Sequence, residues 1–70
     1  MEEVKVGTLI KDMGKFGVVT KIIQSGSLNI ENPVIKWRLN YEICYADGSF
    51  SIIGEDTLQR LIESGKIKLL

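Results

Sequence analysis

The sequence predicts a mainly β protein, a small five-stranded barrel with one short helix before the last strand. Three observations predict it. Trp37, Leu39, Tyr41, Ile43 and Tyr45 alternate without a break with Arg38, Asn40, Glu42 and Cys44, and apolar residues at period two mark a strand with one buried face. Residues 4–11 and 16–23 are rich in valine and isoleucine, whose branched side chains suit a pleated surface. Turn residues, Asp12-Met13-Gly14-Lys15 and Ala46-Asp47-Gly48-Ser49, divide these runs. A chain of 70 residues suits one domain, residues 1–70.

The elements follow in order. Residues 4–11 form the first strand, with Val4, Val6 and Ile10 on one parity and Gly7 marking a bulge or close approach. Residues 16–23 form the second. Its adjacent apolar pairs leave its parity open, as in a strand that bends at a bulge. Residues 24–35 are the least regular stretch: Gln24-Ser25-Gly26-Ser27 and Glu31-Asn32-Pro33 are turn chemistry, while Leu28, Ile30, Val34 and Ile35 fold back on the body or extend the hairpin. Residues 36–45 form the third strand. Asp47-Gly48 then predicts a type I′ hairpin, whose two central residues need positive φ, followed by Phe50-Ser51-Ile52. Asp56 serves as N-cap with Gln59 three residues on, and Leu58, Leu61 and Ile62 form the buried stripe of a helix over 56–64. Gly65 is placed to end that helix in left-handed geometry. Residues 66–70 form the last strand, with Ile67 and Leu69 inward and Lys66 and Lys68 outward, where lysines discourage edge-to-edge pairing. Tyr41 and Phe50 are expected in the core. This is the order of an SH3-like or Sm-like barrel.

Composition narrows the chemistry. Histidine is absent and Cys44 is the single cysteine, so neither a disulfide framework nor a His/Cys zinc site can form. Ser-His-Asp and Cys-His catalysis are excluded alike. Glu55 and Asp56 fit helix capping better than acid–base work. The expectation is a protein that is not an enzyme, with no cofactor and no metal. Nine basic and nine acidic side chains give zero formal charge, hence no bulk pull toward nucleic acid or anionic lipid. No apolar run approaches the ~18 residues of a membrane span, and the acidic start is not a signal peptide. An unpaired thiol suits the cytoplasm, that of a host if the chain is viral. A domain this small seldom draws more than about 3–5 kcal/mol from its core alone, so self-association into a homo-oligomer is expected.

The segments Val6-Gly7-Thr8-Leu9-Ile10-Lys11, Gly17-Val18-Val19-Thr20-Lys21-Ile22 and Tyr45-Ala46-Asp47-Gly48-Ser49 together resemble the small SH3-like barrel proteins of tailed bacteriophages, with a related rhythm in Tudor- and KOW-type barrels. The 24–35 connection and the 56–64 helix are longer than such barrels usually carry, which argues against a simple SH3 peptide groove. Sm-like proteins are more distant relatives, since their N-terminal helix and Arg-Gly signature are missing. Their resemblance would imply a ring that binds nucleic acid.

Charge is unevenly spread. Residues 4–40 hold six basic side chains against two acidic ones, and residues 41–64 hold one against five. Opposed halves suit head-to-tail association. Lys11, Lys15 and Lys21 around the first turn, with Lys36, Trp37 and Arg38, are the candidate residues for contacting nucleic acid or another partner. In an isolated monomer the lysines amount to a solvated strand edge. Repeated around an oligomer they would present phosphate-binding groups. Trp37 fits core packing and base stacking equally. The functional expectation is a self-associating binding module that contacts nucleic acid, and the alternative is a protein-interaction adaptor.

Overall fold

The first hairpin sets the geometry. Met13 and Gly14 both have positive φ, 49° and 92°, as a two-residue type I′ turn requires. The computed structural model describes residues 4–28 and 35–70, with the backbone alone at residues 27, 28, 35 and 36. The elements are β1 (Leu9–Asp12), β2 (Lys15–Leu28), β3 (Ile35–Tyr45), β4 (Phe50–Gly54), α1 (Glu55–Glu63) and β5 (Ile67–Leu69). They form one antiparallel sheet ordered β4-β3-β2-β1-β5. Four strands meander, and α1 carries the chain across so that the last strand pairs with the first. This is the mainly β barrel-like fold with a short helix that the sequence predicts.

Several boundaries differ from expectation. Residues 4–8 are not strand: Thr8 N–H donates to the Lys5 carbonyl (3.0 Å), and Lys5 N–H donates to Thr8 Oγ1 (2.9 Å). This turn docks on β2, where Gly7 N–H meets the Val19 carbonyl at 2.7 Å and Val19 N–H the Thr8 carbonyl at 3.0 Å. Gly7, at φ 94°, is a turn glycine rather than a strand bulge. Residues 24–28 and 35 extend the hairpin, the second of the two expectations for the irregular stretch. The β2–β3 ladder continues through Ser25↔Arg38 and Gly26↔Trp37 to Leu28↔Ile35. Beyond Asn40, where β4 ends its pairing, the two strands make a ribbon that no further strand flanks among the described residues. The expected inward fold of Ile30 and Val34 falls on residues outside those described.

The ambiguous parity of the second strand has a physical cause. A bulge lies between Val19 and Lys21, so Val19 faces Ile43 and, past the bulge, Ile22 faces Tyr41. Thr20 is the extra residue, and its insertion moves the inward positions from odd to even. Gly17 lies on the inward side before the bulge because only a residue without Cβ fits there. A Cβ would sit 3.0 Å from both Ile43 Cγ2 and Tyr45 Cδ1.

Phe50 overturns an expectation. Asp47 does not have positive φ, whereas Gly48 does at 88°. Gly48 N–H bonds to the Tyr45 carbonyl and Tyr45 N–H to the Ser49 carbonyl. The hairpin loop therefore has three residues, a turn closed by a left-handed glycine. That extra residue pairs Cys44 with Phe50. Phe50 takes the outward parity of Cys44 and is 64% exposed instead of buried. A slip of one residue turns every side chain of a strand over.

The core consists of Val4, Ile10, Val19, Tyr41, Ile43, Tyr45, Leu58 and Ile67, with Leu39, Leu61, Ile62 and Leu69 packed against it. The expected stripe of α1 is thus realised. Its start is not as expected: Gly54 is the N-cap, no side chain caps it, and Asp56 lies within the first turn. The chain passes directly from β4 into α1, leaving no residue between them for a side-chain cap. Gly65 closes the helix with φ 81° and an N–H bond to the Ile62 carbonyl.

Candidate binding surfaces on the sheet

The ladder pairings place residues in rows across the sheet. One outward row runs Leu70, Leu9, Val18, Cys44, Phe50. Leu9 pairs with Val18, Val18 with Cys44 and Cys44 with Phe50, while Leu70 N–H donates to the Leu9 carbonyl. No side chain in the row is charged. Leu9 is 55% exposed, Leu70 65% and neighbouring Ile52 57%. Isolated exposed apolar residues are ordinary, whereas a contiguous exposed apolar row is the kind of surface that interaction sites present. Sequence reasoning missed it because it placed Phe50 inside and Cys44 on a polar face. Cys44 is half-buried, with its Sγ 3.6 Å from Thr20 Oγ1.

The next row toward the β1–β2 turn is Lys68, Lys11, Phe16. The two lysines are directly opposite on adjacent strands, an arrangement that costs stability. Lys11 Nζ lies 5.5 Å from the centre of the Phe16 ring, and Phe16 is 55% exposed. A cleft of about 210 Å³ beside this row is lined by Lys11, Met13, Gly14, Gly65, Lys66 and Lys68. Among the described residues, these three lysines have no carboxylate partner.

The six residues singled out in the sequence do not converge. Lys11 joins Lys66 and Lys68, which sequence reasoning had treated as edge protection. Lys15 pairs with Asp47 (3.2 Å) and lies 5.7 Å from the Tyr45 ring centre. Lys21 is directly opposite Glu42. The opposed charge halves of the sequence are therefore interleaved at these two positions. Lys36, Trp37 and Arg38 lie on the ribbon, the side chain of Lys36 being outside those described. Trp37 is 63% exposed, and with Arg38, Leu39, Asn40 and the first turn of α1 it lines an open groove of about 530 Å³.

A polar network joins the two turns at the same end of the barrel. Tyr45 Oη donates to Asp12 Oδ2 at 2.7 Å. Burial, followed by that bond to Asp12, raises the Tyr45 pKa above its ordinary 10.0. Asp47 is lowered to about 2 by the Ser49 hydroxyl first, then by the Ser49 backbone N–H and by Lys15. Ser49 N–H lies 2.9 Å from Asp47 Oδ1. These bonds hold the turns together, in keeping with the expectation that Asp47 is a turn residue.

The fold and these surfaces describe a small β-barrel presenting a row of uncharged side chains beside a lysine cluster that has no carboxylate partner among the described residues. Searches of family models, curated proteins and solved structures find no match to this chain. Among the described residues, no helix is long and apolar enough to cross a membrane.

Proposed function

We propose that this chain is a non-enzymatic binding module that associates with copies of itself and contacts nucleic acid in the cytoplasm. The observation that carries the reading is the uncharged outward row from Leu70 to Phe50. Interface centres are depleted of charge and enriched in residues such as Phe. A second copy is the favoured occupant because the domain has only eight buried apolar residues among those described and lacks disulfide or zinc support. Contact with nucleic acid is supported by the lysines left without carboxylates and by the exposed rings of Phe16 and Trp37.

Sedimentation velocity over a concentration series tests self-association. The expected coefficient rises with concentration to that of a defined oligomer. A monomer boundary throughout would sink this part of the proposal and favour the adaptor alternative, in which the same row receives a different protein.

A further inference from the structure

We infer that the row Lys68, Lys11, Phe16 with the adjoining Lys66 is a binding site for single-stranded nucleic acid, with backbone phosphates on the lysines and a base stacked on Phe16. The inference rests on the nucleic-acid reading above and assigns it a place, a strandedness and a role for each residue.

The first argument is electrostatic. Lys11 and Lys68 are Cα partners across the β1–β5 ladder, which brings their Cβ atoms to about 4.5–5.5 Å. Lys66 lines the same cleft. Among the described residues no carboxylate pairs with any of the three, although Lys15 on the other side of the hairpin has Asp47. A bound phosphate would relieve the repulsion that the fold leaves uncompensated. The separation of neighbouring strands, about 4.8 Å, lets both ammonium groups reach one phosphate or two successive ones.

The second argument concerns the base. Phe16 is the next member of the same row, directly opposite Lys11, and more than half of it is exposed. The exposed ring has the Lys11 ammonium 5.5 Å from its centre, and exposed aromatics next to cations are what single-stranded binders use to stack bases. Bases within a duplex are already stacked on one another and cannot use such a platform. The geometry therefore selects single strands. The uncharged row of the proposed self-association surface lies one row further along the sheet, so the two surfaces adjoin without sharing a residue.

The two halves of the site give different signatures. Each lysine that neutralises a phosphate contributes about 0.7 to the slope of log affinity against log salt for a single strand. A stacked aromatic contributes affinity with little salt dependence, about 5- to 150-fold on removal. The test is fluorescence titration of the full chain with labelled oligothymidylate, oligouridylate and a DNA duplex. The expected results are tighter binding of the single strands, a slope smaller by about 2 for Lys11→Gln/Lys66→Gln/Lys68→Gln, and weaker binding at unchanged slope for Phe16→Leu. Lys15→Gln/Lys21→Gln should bind as wild type does. Lys68→Gln alone removes the like-charge pair, so its melting temperature should not fall, and a lower slope in that variant cannot come from unfolding. If the wild type binds but the triple variant keeps its slope, the site is wrong while the nucleic-acid reading stands. Equal binding of duplex and single strand overturns the stacking role. No binding of any probe by the wild type overturns the nucleic-acid reading and this site with it.

Discussion

Gly17→Ala places one methyl group where the structure has no room for it. The new Cβ would lie 3.0 Å from Ile43 Cγ2, 3.0 Å from Tyr45 Cδ1 and 3.2 Å from the Cys44 carbonyl oxygen. Favourable carbon–carbon separations are about 3.5–4.0 Å, so two contacts are short by roughly half an ångström or more. Neither neighbour can retreat, since Ile43 is 0% and Tyr45 8% exposed. Overpacking of this kind costs about 1–3 kcal/mol. Lower entropy of the unfolded chain offsets about 0.4–1 kcal/mol of that. The net expectation is a loss of about 1–2 kcal/mol, a large share of the ~4–10 kcal/mol that a domain this size holds. Urea unfolding followed by tryptophan fluorescence measures it, with a lower midpoint at an unchanged m-value. A Gly17→Ala protein as stable as wild type would refute the close approach of β2 to β3 on which the barrel's inward side is built.

Three further outcomes follow from local chemistry. Met13 holds positive φ while 80% exposed, so Met13→Asn, which tolerates that conformation better, should stabilise the fold by about 0.5–1 kcal/mol; a lower urea midpoint would contradict this. Asp47, depressed to about 2 from an ordinary 3.8, contributes stability present above pH 3.8 and lost as pH falls toward 2. Ser49→Ala should raise the Asp47 pKa in an NMR titration, and an unmoved value would contradict the assigned cause. Tyr45, raised above 10.0, contributes stability present below pH 10 and lost as pH climbs past it. Between about pH 9 and about pH 11 wild type should lose more stability than Tyr45→Phe, and equal losses would count against the Asp12 bond and burial as causes.

The third strand was legible because its period of two is unbroken from Trp37 to Tyr45, and the helix because Leu58, Leu61 and Ile62 fall on one face. The errors came from single-residue register. Asp47-Gly48 suggests a two-residue turn, which would place Phe50 opposite Tyr45 and inside. The actual three-residue loop places it opposite Cys44 and outside. Thr20 does the same to the second strand: its bulge converts an alternating strand into one with no apparent parity. Lys68 was hidden for a different reason. Its partner Lys11 is distant in sequence, and only pairing of the last strand with the first brings them together. That pairing is implicit in the barrel order, so asking which β1 residues face β5 could have found the cluster. The lysines grouped by sequence, Lys11, Lys15 and Lys21, separate because alternate sides and turns direct them to different neighbours.

The central claim, association of this barrel through the outward row, is tested most directly by the molar mass of wild type and of Phe50→Lys in light scattering. Phe50 is exposed and lies at one end of the row, so a lysine there leaves the core untouched but puts a charge into the contact. The account predicts an oligomeric wild type and a folded Phe50→Lys monomer with the same β-sheet circular dichroism. A wild type that is monomeric at every concentration, or a Phe50→Lys protein of unchanged oligomeric mass, would contradict it.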